Sequence, residues 1–186
     1  MDIRKLFSLE GRVALVTGAT HGLGMAVATA LAGAGATLAV NGHSADRLDK
    51  ALKTYENKGI DAKGYLFDVT DEQAVAEGVA RIEREAGPID ILVNNAGIIK
   101  RIPALEMTLP EWNEVIATDL TSPFLMSRAV AAGMIRRGHG KIVNMCSMMS
   151  EVGRSSVTAY AAAKGGLKML TKNLATEWAK HNIQVN

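Results

Sequence analysis

The chain predicts an α/β fold, a parallel sheet doubly wound between two helical layers, and three observations predict it. Apolar, strand-like runs alternate with segments of helical period along all 186 residues. The first run ends in a glycine-rich turn, TGATHGLG (17–24), that opens straight into a helix. Hydrophobic residues make up 48% and charged residues 22%, enough at this length for one domain with a sizeable core.

RVALVTG (12–18) reads as the first strand and GMAVATALAGAG (24–35) as a helix closed by glycines. TLAVNG (37–42) is the second strand. Ser44 is placed to cap the helix 45–59, and AKGYLFDV (62–69) is the third strand. Thr70 is expected to cap the helix 71–87, whose acids open it and whose Gly87 ends it. IDILVNNAG (89–97) is the fourth strand. Thr108 and Glu111 form a capping box with Pro110 in the first turn of a helix reaching about 137. Pro123 inside it predicts a kink or break near 120. KIVNMCS (141–147) is the fifth strand, and a long helix follows over about 157–180. NIQVN (182–186) starts a sixth strand and stops. An incomplete sixth strand is expected to leave an apolar edge on the fifth. The sequence therefore reads as one dinucleotide-binding domain over 1–186, cut from a longer protein. Right-handed crossovers complete the doubly wound topology.

The 21 basic and 19 acidic residues nearly cancel, so there is no basic footprint for nucleic acid. Cys146 is the only cysteine, which excludes an internal disulfide and fits a reducing, cytoplasmic setting. The N-terminus lacks the apolar run of a secretory signal. The apolar stretch 23–40 is Ala- and Gly-rich and is broken by Gly33 and Gly35, so it reads as a helix and a buried strand rather than a membrane span. One cysteine and four scattered histidines offer no metal-ligand spacing. No G-x-S-x-G elbow supports a hydrolase. MIRRGHGK (134–141) reads as a basic helix end with a glycine cap.

Gly18, Gly22 and Gly24 stand where side chains would block a ligand, and their backbone lets a pyrophosphate approach the free N–H groups of a helix N-terminus. Thr20, His21 and Leu23 line the same turn. The spacing G-x3-G-x-G departs from the G-x-G-x-x-G fingerprint, but its place after the first strand of a βαβ unit points to a dinucleotide. An acid closing the second strand would select NAD. Gly42 and His43 occupy that corner and Arg47 follows, so NADP is expected, with NAD possible. Taken alone, His43 reads equally as a solvated loop histidine. Asp68 and Val69, closing the third strand, are placed to meet adenine, although Asp68 also reads as the start of a helix cap.

TGATHGLG, NNAG (94–97), Ser147 and YAAAK (160–164), in this order, resemble the short-chain dehydrogenase/reductase family over the whole chain. The resemblance implies a Rossmann-type sheet, a nicotinamide cofactor, and dimers or tetramers built through the two long helices. It also implies that members continue beyond this chain with further strands and a substrate-covering segment. By that resemblance Ser147 polarises the substrate carbonyl, Tyr160 is the acid/base, and Lys164 favours the phenolate and holds the nicotinamide ribose. Asn95, Ala96 and Gly97 would steady the sheet and make room for the adenosine ribose. Asp119 stands where the family carries a catalytic asparagine, and a carboxylate cannot donate as an amide does. The residues support the pairing independently, since positions i and i+4 share one helix face. A phenol acting near neutrality needs a shift of roughly three units from about 10, some 4 kcal/mol, which an ammonium in a partly desolvated cleft can supply.

CSMMSEVGR (146–154) and EWAKHNIQVN (177–186) resemble the gluconate 5-dehydrogenase branch of the family. That implies reversible hydride transfer between the nicotinamide and C5 of a sugar acid. The branches acting on 2-dehydro-3-deoxygluconate and on 3-oxoacyl carrier-protein substrates stand next, and an inactive dinucleotide-binding module is the reading outside enzymes. A carboxylate substrate needs a cation. Lys100 and Arg101 follow NNAG directly, and Arg154 lies between Ser147 and Tyr160. Arg101 is the expected clamp, with Arg154 second; each also reads as a solvated surface arginine.

Overall fold

The computed structural model describes residues 6–186. Six parallel strands form one sheet in the order β3-β2-β1-β4-β5-β6. They are β1 (Val13–Val16), β2 (Thr37–Gly42), β3 (Ala62–Leu66), β4 (Ile89–Asn94), β5 (Gly140–Asn144) and β6 (Ile183–Val185). Between them run α1 (Gly22–Gly33), α2 (Ala45–Glu56), α3 (Glu72–Glu85), α4 (Leu109–Ile116), α5 (Ser122–Arg137) and α6 (Thr158–Trp178).

Alternation along β1 separates the two helical layers. Val13 and Leu15 join Val79 and Ile82 of α3, Met126 and Val130 of α5, and Leu174 and Trp178 of α6. Ala14 and Val16 turn the other way, onto Ala28 of α1 and Leu48, Ala51 and Tyr55 of α2. The three-layer α/β/α arrangement is thus written into a period of two. Residues 23–40 are indeed α1 and β2, and no helix among the described residues is long and apolar enough to cross a membrane.

Several expectations need correcting. Strands β1, β3, β4 and β5 stop two to three residues before the apolar runs end. The remainders, among them Asn95–Gly97 and Cys146–Ser147, are loops at the carboxyl edge of the sheet. The cap of α3 is Asp71, whose carboxylate accepts from Ala74 N–H; the Thr70 hydroxyl instead donates to Asp68. Ser44 does precede α2, but its side chain makes no cap bond. The edge of β5 is not bare: β6 pairs with it, and Asn186 O accepts from Asn144 N–H at 2.7 Å.

The capping box of Thr108 and Glu111 and the αL glycine Gly138 after α5 form as expected. The break near 120 is a π-helical turn over Ala117–Thr121. Pro123 has no N–H for the carbonyl of Asp119, so the chain widens by one residue there and resumes as α5.

Candidate active site

The strand order reverses between β1 and β4, so their carboxyl ends diverge into a crevice, the position where open α/β sheets bind ligands. Both motifs open there. Gly18 is left-handed (φ +62°), and a Cβ on it would lie 2.9 Å from Ala96 Cα. A Cβ on Gly24 would lie 2.4 Å from Asn95 Nδ2 and 2.6 Å from Gly18 O. These two glycines let the turn and NNAG close on each other. Gly22, also left-handed at φ +56°, has nothing within 4 Å of its would-be Cβ and faces open space. Asn95 donates its amide to Thr17 O and Gly18 O at 3.0 and 3.2 Å, the cross-strand bond expected of it.

A cavity of about 510 Å³ occupies the crevice. Its lining includes the glycine turn (Gly18, Thr20, His21, Gly22, Leu23, Gly24), His43 after β2, Asp68 and Val69 after β3, and Asn95, Ala96 and Gly97 after β4. Arg47 joins His43 at one end, and Glu114, Ala117 and Thr118 close the other side, a contribution of α4 and the π turn that the sequence did not reveal. The cavity fits a dinucleotide. His21 caps α1 with backbone alone, so the N–H groups of the first turn stay free for a pyrophosphate. A carboxylate from β2 is absent at the His43–Arg47 end. Asp68 faces the cavity, but its Oδ1 is taken by Thr70 N–H and hydroxyl, both at 2.8 Å, so the capping role accounts for half of that carboxylate.

The residues expected to act on the substrate, Ser147, Tyr160 and Lys164, are not in the cavity lining; they lie on α6 and the loop after β5. Lys164 Nζ lies 5.6 Å from the centroid of the Tyr160 ring, as their i, i+4 spacing implies. Lys164 is not a solvated amine: it is 5% exposed, donates to Met145 O at 2.8 Å and ion-pairs with Asp119 Oδ2 at 3.2 Å. Ser147 Oγ accepts from Met149 N–H, which leaves its own proton free to donate outward. Ser150 ties this loop to α6, because its hydroxyl accepts Ser147 N–H and donates to Lys164 O at 3.0 Å.

The π turn places Asp119 beneath this group, fully buried. Its Oδ1 accepts from Ile98 N–H at 2.7 Å. The contact of Oδ2 with Lys164 is an ion pair and not an aligned hydrogen bond. A Cβ on Gly97 would lie 2.8 Å from Oδ2, so NNAG needs its glycine on this side too. Burial pushes the Asp119 carboxyl above the ordinary carboxylate range, against the pull of the Lys164 ammonium and the Ile98 amide.

The expected clamp residues lie further out. Arg101 and Arg154 are exposed and do not line the cavity, and Lys100 is engaged by Glu114. Their two loops are nonetheless joined: Ile102 N–H donates to Ser156 O at 2.9 Å, and Ser156 sits in the left-handed region (φ +61°) to receive it.

Thr17, Asn41 and Tyr55 position the crevice without having stood out in the sequence. Thr17 Oγ1 accepts from Asn95 N–H and Ala96 N–H, both at 3.0 Å. Asn41 donates to Tyr65 O and Phe67 O across to β3. Tyr55, fully buried on α2, donates to Ala19 O in the glycine turn at 2.8 Å. A phenol on the apolar face of a helix was the available signal for it. Tyr55→Phe is expected to cost about 1 kcal/mol in urea unfolding and to raise KM for the cofactor, leaving kcat at saturation unchanged. Burial pushes this hydroxyl up to about 12. That is above the unfolded phenol near ~10, so its contribution is complete below that pH and is lost as pH climbs through the folded value.

The short chain dehydrogenase model matches residues 12–186. A 2-dehydro-3-deoxy-D-gluconate 5-dehydrogenase of Formosa agariphila is 60% identical, over 97% of this chain and 69% of its own. A gluconate 5-dehydrogenase of Gluconobacter oxydans is 49% identical, over 97% of this chain and 71% of its own. The crystal structure of a gluconate 5-dehydrogenase from Burkholderia cenocepacia, in complex with NADP and tartrate, superposes with a TM-score of 0.93. It is 38% identical and covers 99% of this chain and 72% of that one. The alternating chain, the crevice at the switch point and the match along the sequence agree, and the chain belongs to the short-chain dehydrogenase family.

Proposed function

We propose that this chain carries the reversible oxidation of a sugar acid at C5 with NADP, D-gluconate to 5-dehydro-D-gluconate. The observation that carries the reading is a buried ammonium, Lys164, one helical turn from Tyr160, on a helix that Ser150 ties to the loop carrying Ser147. Bound nicotinamide supplies the acceptor for the hydride leaving C5. Tyr160 takes the proton of the C5 hydroxyl, helped by the Lys164 charge, while Ser147 donates to the oxygen that becomes the carbonyl. In the reverse direction Tyr160 returns that proton. Gly18, Gly22 and Gly24 with the α1 N-terminus would hold the pyrophosphate, and His43 and Arg47 a 2′-phosphate. The NADP and tartrate bound to the Burkholderia relative support the cofactor and a hydroxy-acid ligand. Cytoplasmic location and assembly as a dimer or tetramer complete the reading.

A second substrate, 2-dehydro-3-deoxy-D-gluconate, is favoured by the 60% identity to the Formosa enzyme. Both are decided in one assay. The purified protein receives D-gluconate or 2-dehydro-3-deoxy-D-gluconate with NADP and then NAD, and reduced nicotinamide is followed by absorbance. Turnover of D-gluconate with NADP is expected to be the fastest. No turnover of either acid with either cofactor would overturn the reading.

Arg101 is proposed as the carboxylate clamp, with Arg154 second, on the loop that the Ile102–Ser156 backbone bond joins to it. Arg101→Ala is expected to raise KM for gluconate about tenfold or more, consistent with one charge-assisted bond of roughly 1.5–3 kcal/mol, and to leave KM for an uncharged ketone unchanged. Equal effects on both substrates would remove the assignment.

A further inference from the structure

We infer that Asp119 is the fixed counter-ion of Lys164, and that by offsetting its charge it sets the pH range in which Tyr160 works. The inference rests on the acid/base reading of Tyr160 above. Asp119 is fully buried and absent from the cavity lining, so it is a positioning residue that acts through Lys164.

The geometry is that of a built ion pair. Asp119 and Lys164 are 0% and 5% exposed, and their charged atoms are 3.2 Å apart. Oδ1 accepts from Ile98 N–H, while Oδ2 faces the ammonium at 3.2 Å as an ion pair without an aligned hydrogen bond. An asparagine whose oxygen accepted from Ile98 N–H would turn its NH2, a donor, toward the ammonium. The ammonium donates one proton to Met145 O and faces Asp119 through its charge, which leaves donor capacity for a ligand. No water is needed to connect residue 119 with the lysine.

Other charges do not compete. On α4, Glu111 is folded onto Thr108 and Glu114 onto Lys100. On α5, Arg128 pairs with Glu72 and Arg137 with Glu83. On α6, Lys168 pairs with Glu151, and Lys172 lies one turn further on. The loop from Asn95 to Ile98 contributes neutral side chains. Lys164 is the ionised group whose charge reaches the Asp119 carboxylate. A lone ammonium favours the phenolate; a carboxylate behind it opposes that effect, because in a weakly screened interior both charges are felt across several ångströms.

The test is the pH dependence of kcat for gluconate oxidation in Asp119→Asn. The neutral residue leaves the ammonium unopposed, so the rising limb is expected to move to lower pH by about one unit. A purely structural role would lower kcat at every pH and leave the midpoint where it is; that outcome overturns the inference. Asp119→Ala, which leaves room for a water against Ile98 N–H and Lys164, carries the same expected displacement should the asparagine variant not fold. Tyr160→Phe in the same assay separates the two levels. If that variant keeps its rate, the acid/base reading itself has failed, whatever the midpoint does.

Discussion

Tyr160→Phe is expected to lower kcat for sugar-acid oxidation about a thousandfold, inside the ~10²–10⁴ range of a positioned general acid/base. The ring would remain half-buried against the cluster of Val115, Ala159 and Ala163, so the fold is not at stake. Phenylalanine also keeps the face beside the Lys164 ammonium, which stays held by Met145 O and Asp119. What disappears is the hydroxyl proposed to accept the C5 proton. KM for the cofactor should change little, because the glycine turn and NNAG that line the cavity are untouched. Initial rates across pH 6–10 are the measurement, since a residual rate that climbs with hydroxide would show solvent taking over the proton. A variant that retains a tenth or more of the original kcat would remove Tyr160 from the chemistry.

The sheet was legible because its signal is local. Each strand is a short apolar run, the helices alternate with them, and one proline marked the break at 117–121. The strand ends were not legible, since an apolar run does not say where pairing stops; overhanging residues such as Gly18, Asp68, Val69 and Asn95 line the cavity. Glycine spacing disclosed the turn. It did not disclose that Gly24 makes room for the Asn95 side chain while Gly22 faces open space, a distinction that depends on contacts between distant segments. Tyr160 and Lys164 were legible as i, i+4 neighbours. The buried ion pair of Lys164 was not, because its partner Asp119 lies far away in sequence. Asp119 was noticed as a departure from a pattern; its partner was visible only once the π turn had carried it under α6.

Lys164→Met is expected to destabilise the protein by about 3–5 kcal/mol at neutral pH, the cost of removing one partner from a buried ion pair. Methionine keeps the length of the aliphatic stem, so the loss isolates the charge and not a cavity. Two groups are stranded. Met145 O loses its donor, and the Asp119 carboxylate, with no exposed surface, is left with Ile98 N–H alone. The penalty has a sign in pH. Without the ammonium only the Ile98 amide opposes the desolvation that already raises the Asp119 carboxyl, so folding favours its protonated form more strongly. Stability from that group is then present below the unfolded carboxylate value and lost as pH rises, and the deficit relative to the native protein should shrink on acidification. Urea unfolding of the full chain at several pH values reads both effects. Adding Asp119→Asn to Lys164→Met removes the stranded charge and is expected to recover half or more of the lost stability, while turnover stays absent because no ammonium remains beside Tyr160. A deficit below about 1 kcal/mol, independent of pH, would mean that residue 119 carries no charge in the folded chain, and the ion pair would lose its place in the chemistry with it.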